Sequence, residues 1–221
     1  NYNFDSAVGN PMHGEKPFQG DGYGVYFDDD YLYDTDVKID VSISHSFCFW
    51  VRPDRIDIDH TFFARYGWYY SNWRYGSRYY WNTRNSEDQQ WDRLIAYDIL
   101  ESNNWTHICN VYDDASGLKK IYVDGVVMAS QGVSSVKNLT PTWFMSSNGE
   151  DNMTGTLFRP MWFTKALAQE EVLALYNNTK LSYCNNFQGH QTELFHGEVE
   201  NKSIVRTQEL TNKKSDIENF L

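Results

Sequence analysis

The most regular alternation of apolar and polar positions runs from Asn104 to Ser130, NWTHICNVYDDASGLKKIYVDGVVMAS. Trp105, His107, Cys109 and Val111 alternate with Thr106, Ile108, Asn110 and Tyr112. This period of two, rich in aromatic and β-branched residues, predicts a strand. Asp113-Asp114-Ala115-Ser116-Gly117 is a turn cluster, and Leu118 to Val123 predicts a second strand. Asp124-Gly125 then predicts a two-residue type I′ hairpin into Val126 to Ala129, because both central residues of that turn need positive φ. The stretch reads as a three-stranded meander.

Elsewhere the pattern is more broken. Residues 1 to 20 are polar and punctuated by Gly and Pro, with few strand signals beyond Tyr2 and Phe4. Gly24 to Phe27 predicts a strand that Asp28-Asp29-Asp30 breaks, with Tyr31 to Tyr33 following. Gln90 to Leu100 predicts a strand pair, and Thr142 to Ser146 a further strand. Ala168 to Tyr176 predicts the one helix. Glu170 and Glu171 stand in its first turn, where the dipole favours negative charge. Val172, Leu175 and Tyr176 give it an apolar face expected to pack on the edge of the fold. From Lys180 onward the chain reads as a looser extension. Glu193 to Val199 and Ser203 to Val205 are candidates for a last strand, and residues 207 to 221 form a polar tail.

The meander, as Trp-x-His-x-Cys, an acidic turn, then Gly-Leu-x-x-x-Tyr-Val-Asp-Gly, resembles the central hairpin of laminin G-like and pentraxin-like domains. Ser46-Phe47-Cys48-Phe49-Trp50-Val51-Arg52-Pro53 is similar to another strand of that family. Gly155 to Leu167 followed by Glu170 to Tyr176 is similar to its final strand and short helix. The order and spacing of the three blocks agree. The resemblance implies an all-β fold, an antiparallel jelly-roll β-sandwich of the concanavalin A-like and laminin G-like type with one short C-terminal helix. It covers residues 20–180, with 1–19 as an N-terminal extension and 181–221 as a C-terminal one. It also implies a disulfide between Cys48 and Cys109, which would close a loop of about 60 residues and stabilise by roughly 4 kcal/mol on chain entropy. The residues alone leave open two buried free thiols. Cys184 is left over, free or paired with another chain.

A length of 221 residues suits one large β domain, and 17% aromatic content suits a sandwich. A net charge of −11 argues against nucleic acid as a partner and leaves cations plausible. No run of 18 apolar residues exists, so no membrane insertion is expected. The absence of an initiating Met and of an apolar start suggests a processed chain or a fragment of a longer one. Sequons at Asn104, Asn138, Asn152, Asn177 and Asn201 point to glycosylation and a secreted or cell-surface setting.

Candidate chemistry is concentrated in three places. Asp28 and Asp30 in the acidic run can offer oxygens to Ca²⁺, against the simpler reading of a solvated loop. Glu150, Asp151 and Asn152 correspond in place to the segment that supplies Ca²⁺ ligands in pentraxin-like relatives, and a glycan on Asn152 would compete with metal there. Asp54 to His60, DRIDIDH, puts Asp57 and Asp59 on one face of a strand, the arrangement of glycosidases on this sandwich, but an exposed loop is the reading preferred. Between Thr61 and Trp91, aromatic residues are interleaved with Arg65, Arg74, Arg78 and Arg84. Phe62-Phe63 reads as core, and Tyr69, Tyr70, Trp73 and Tyr75 as an exposed contact surface in and around a loop. Arginines stacked on rings that merely hold the sheet together are the alternative. His107 reads as a satisfied core residue. No G-x-S-x-G, H-E-x-x-H, paired CxxC or phosphate-cradling loop is present.

The expected function is therefore a non-enzymatic extracellular recognition or adhesion module that binds glycan or glycoprotein, with Ca²⁺ as a candidate cofactor. The alternative is a structural domain contacting other chains of a larger extracellular assembly. A glycoside hydrolase or lyase comes third.

Overall fold

The computed structural model describes residues 6–9, 11–14, 24–34, 39–65, 70–85, 91–133, 135–137, 143–145 and 152–184. The N-terminal part holds β1 (Ser6–Val8), β2 (Met12–Gly14) and the long β3 (Gly24–Asp34). Next come β4 (His45–Pro53), β5 (His60–Arg65), β6 (Tyr70–Tyr75), β7 (Arg78–Arg84) and β8 (Trp91–Ala96). The meander follows as β9 (Thr106–Asp113), β10 (Leu118–Val123) and β11 (Val126–Gly132). Two further strands, β12 (Trp143–Met145) and β13 (Met153–Phe163), lead to α1 (Gln169–Cys184).

All strand pairs are antiparallel, in the order β11-β10-β9-β4-β13-β3-β12-β5-β6-β7-β8. The path folds into two layers because β3 serves both. Its first half pairs with β13, from Val25 to Asp30, and its second half pairs with β12, from Leu32 to Asp34. The change of partner falls on the acidic run. Asp29 takes φ of 64°, and the register against β13 slips between Met153 and Thr154. Asp28 to Asp30 thus turn a sheet corner within a continuous strand and do not break it as expected, since a single left-handed residue bends a strand without ending its pairing. Asn152 Nδ2 donates to the Asp29 carbonyl at 3.0 Å and ties the corner to the start of β13.

The two layers enclose a core that alternation selects. Phe47, Phe49 and Val51 from β4 and Ile108 and Tyr112 from β9 meet Phe62, Phe63, Tyr79, Trp81 and Leu94 from the opposite layer, all buried. Each such side chain contributes on the order of 1.5–3 kcal/mol by leaving water. Lys119 of β10 crosses this interior. Its ammonium donates to Trp81 O, Thr83 Oγ1 and Asp92 O at 3.0–3.1 Å and sits 4.5 Å from the Trp81 ring centre. Burial pushes its pKa down to about 7 against the opposing pull of Asp92.

The other face of the β4–β9–β10 layer is covered by α1. Cys48 and Cys109, directly opposite in register, form a disulfide there, beneath Val172 and Leu175. The helix lies over this face and not on the edge of the fold. It also continues to Cys184, past the looser extension expected from Lys180. Trp50 Nε1 donates to Thr179 Oγ1 at 3.1 Å, and Glu171 accepts from the Ala168 amide and from Lys165, which lowers its pKa. Other differences from expectation are local. The segment read as an N-terminal extension supplies two short strands paired with β3. A single strand, β8, replaces the expected pair over Gln90 to Leu100. Asp124 and Gly125 both take positive φ, 51° and 83°, as the type I′ hairpin requires.

Candidate functional site

The aromatic segment after Phe63 is where the sheet and the sequence combine. Of the stretch Tyr69 to Trp73, expected as an exposed loop, Tyr70 to Trp73 belong to β6 (Tyr70–Tyr75), which Gly76-Ser77 turns back onto β7, with Tyr75 opposite Arg78 and Trp73 opposite Tyr80. Alternation along β7 sends Tyr79, Trp81 and Thr83 into the core and Arg78, Tyr80, Asn82 and Arg84 to the outer face. On β8, Leu94 and Ala96 face the core, so Trp91 and Arg93 face outward. Trp91 stands opposite Arg84, and Arg93 opposite Asn82.

These outward groups interlock. The Arg84 guanidinium lies 5.1 Å from the Trp91 ring centre, Arg93 lies 5.5 Å from Tyr80, and Arg78 lies 5.4 Å from Tyr97, just past β8. Arg93 Nε also donates to Asn82 Oδ1 at 3.0 Å, and a hydrogen bond to Tyr80 raises the pKa of Arg78. Tyr80 and Asn82 are buried as a floor. Tyr75, Trp91 and Tyr97 remain 59%, 40% and 56% exposed, large values for rings of this size. Exposed rings beside fixed cations on a sheet face can stack a flat ligand and hold its polar groups in register.

Of the contact surface expected from sequence, Tyr75 is exposed, Tyr70 and Trp73 stand in β6, and Tyr69 lies outside the described residues. Arg93, Trp91 and Tyr97 were missed as members of the face. The signal was available as parity, since Arg78, Tyr80 and Arg84 share one phase of β7.

The expected metal residues are partly brought together. Asp30 pairs in register with Met153, so Asp28, Asp30 and Asn152 meet at the β3 corner. Asn152 Oδ1 is buried there. Glu150 and Asp151 lie outside the described residues, and among the described residues no group of three or more His, Cys, Asp or Glu side chains could hold a metal. The DRIDIDH carboxylates are not paired across a cleft: Asp57 is clasped by Arg55 in an exposed turn. His60 is buried, accepting from the Thr154 amide and bonded to the Arg55 carbonyl. Among the sequons, Asn104 and Asn177 are exposed, while Asn138 and Asn201 lie outside the described residues.

Residues 25–173 match the concanavalin A-like lectin/glucanases superfamily, in its Laminin_G_3 family, and the chain belongs to it. The fold is shared with receptor-binding domains of botulinum neurotoxins. The domain of mosaic serotype C/D matches with a TM-score of 0.63 at 12% identity, over 78% of this chain and 45% of that one. The binding domain of botulinum neurotoxin DC in complex with SialylT matches at 0.60 and 15%, over 79% and 46%. The same domain in complex with rat synaptotagmin II matches at 0.61 and 16%, over 79% and 46%. The present chain thus covers under half the length of these neighbours. No curated protein sequence matches it.

Proposed function

We propose that the protein is a non-catalytic recognition module that binds glycan or a glycoprotein on the outer face of β6 to β8. One observation carries the reading: the exposed rings of Tyr75, Trp91 and Tyr97 share a sheet face with three arginines stacked on aromatic rings. Solved neighbours of this fold have been captured with SialylT and with a protein, which supports a scaffold able to present either kind of contact. The disulfide and the exposed sequons at Asn104 and Asn177 support an oxidising, secretory origin and an extracellular or cell-surface setting.

The test is a glycan array probed with the purified chain, its Trp91→Ala and Tyr97→Ala variants alongside. Binding weakened severalfold to about tenfold in each variant supports the reading, because each removes one stacking ring. Unchanged binding in both variants would move the site elsewhere. Sedimentation of the wild-type chain as an oligomer that both variants dissociate would replace the reading with that of an assembly domain.

Ca²⁺ belongs to the same proposal, with Asp28, Asp30 and Asn152 at the β3 corner as oxygen donors and Glu150 and Asp151, outside the described residues, as the further donors expected from sequence. A metal held by the folded state alone raises the thermal midpoint by mass action. A higher midpoint in Ca²⁺ than in chelator is expected, and equal midpoints would remove calcium from the account.

A further inference from the structure

We propose that the outer face of β7 and β8 takes an acidic oligosaccharide, with carboxylate or sulfate groups on Arg78, Arg93 and Arg84 and sugar rings on Trp91 and Tyr97. The inference rests on the recognition reading above and narrows it to one chemical class.

Charge is the first reason. The chain carries a net −11, yet three guanidinium groups share this face, Arg78 and Arg84 on β7 and Arg93 on β8. The rest of the molecule repels a polyanion at long range, so attraction is confined to contact with this row. Asp98, at the end of the row, is engaged by Ser77 Oγ at 2.7 Å.

Geometry is the second. Each guanidinium lies over a ring, Arg84 on Trp91, Arg93 on Tyr80 and Arg78 on Tyr97. Stacking fixes the plane of the fork, which suits the flat, two-point hydrogen bonding that carboxylate and sulfate oxygens offer. A lysine in the same place would carry the charge without the fork.

Spacing is the third. Arg78 and Arg84 stand six residues apart on β7, roughly 20 Å at about 3.3 Å per residue. Arg93 falls between them because it pairs with Asn82. A single charged sugar meets one arginine of such a row, whereas an extended oligosaccharide with repeated acidic groups meets all three. The rings between the cations favour sugar over an acidic peptide, since flat faces match the apolar faces of sugar rings.

The test uses the full chain in calorimetric titration with two acidic probes, an oligogalacturonate and a sulfated oligosaccharide of comparable length. Each is paired with a neutral counterpart, methyl-esterified or desulfated. At least one acidic probe should bind about tenfold or more tightly than its neutral form, and added salt should weaken it. Arg84→Gln and Arg93→Gln should each weaken it roughly tenfold, the loss of a charge-assisted contact, while Arg93→Lys recovers part of that loss. Unchanged thermal midpoints in these surface variants keep folding out of the comparison. Equal binding of the neutral forms would overturn the acidic specificity and leave glycan recognition standing. Binding of neither acidic probe, or capture of poly-glutamate in their place, would overturn the proposal.

Discussion

His107 shows what a single residue can cost a fold. Its ring is fully buried on β9, 5.1 Å from Trp50 and 5.8 Å from Tyr176, beneath α1. The sequence led us to expect a satisfied core histidine. The ring is core, but neither Nδ1 nor Nε2 has a hydrogen-bond partner among the described residues. Burial alone pushes its pKa down to about 3, and burial pushes that of His45, stacked on Trp162, down to about 4. Both values lie below the 6.5 of an exposed imidazole, so the unfolded chain binds protons first as the pH falls. The stability these neutral rings retain is complete above about pH 6.5 and is lost progressively down to about pH 3. His107→Leu removes two unsatisfied polar atoms at similar volume, and should raise the unfolding free energy by about 1–3 kcal/mol at neutral pH. It should also flatten the acid slope. Urea unfolding at pH 7 and at mildly acidic pH measures both, and an unaltered slope would assign the acid sensitivity to other groups.

At the scale of elements, the disulfide and the helix act together. Cys48 and Cys109 sit opposite each other on β4 and β9, 61 residues apart in sequence, and α1 seals them from water. The double variant Cys48→Ala, Cys109→Ala should lose about 4 kcal/mol on the chain-entropy account. Denaturant unfolding of the variant against the oxidised parent measures it, and a loss below about 1 kcal/mol would mean that packing under α1 does most of the work. The meander was legible beforehand because its evidence is local: alternation, a turn cluster and Asp-Gly. The β3 corner was not. Whether three aspartates end a strand or bend it depends on β13, more than a hundred residues later in the chain, which keeps pairing through the slip at Met153. β6 was misread for the same reason, since Tyr-Ser-Asn-Trp looks like a loop until β7 supplies its hydrogen bonds.

At the scale of the molecule, the two outer faces of the sandwich divide the labour. One is covered by α1 and the disulfide, and the other carries the arginine and aromatic row. A glycan on Asn177 of α1 would therefore project away from the proposed binding face. Asn104 is also exposed, whereas the Asn152 amide is committed to the Asp29 carbonyl. Glycopeptide mapping of the chain expressed through a secretory pathway should find sugar on Asn104 and Asn177 and none on Asn152. A glycan on Asn152 would mean that the corner forms without that hydrogen bond.

The sequence by itself determined the meander with its hairpin, the helix and its acidic first turn, because each rests on short-range periodicity or on one turn's demand for positive φ, and it pointed to the sandwich through the resemblance of three of its blocks to a known family. It also singled out the aromatic segment that carries part of the proposed binding face. Only the tertiary structure decided which of those aromatics face water, that Arg93 and Trp91 of β8 join Arg78 and Arg84 of β7, and that Asp28, Asp30 and Asn152 share a corner. Side chains from distant strands become neighbours through register, and register is set by long-range pairing that no local pattern contains.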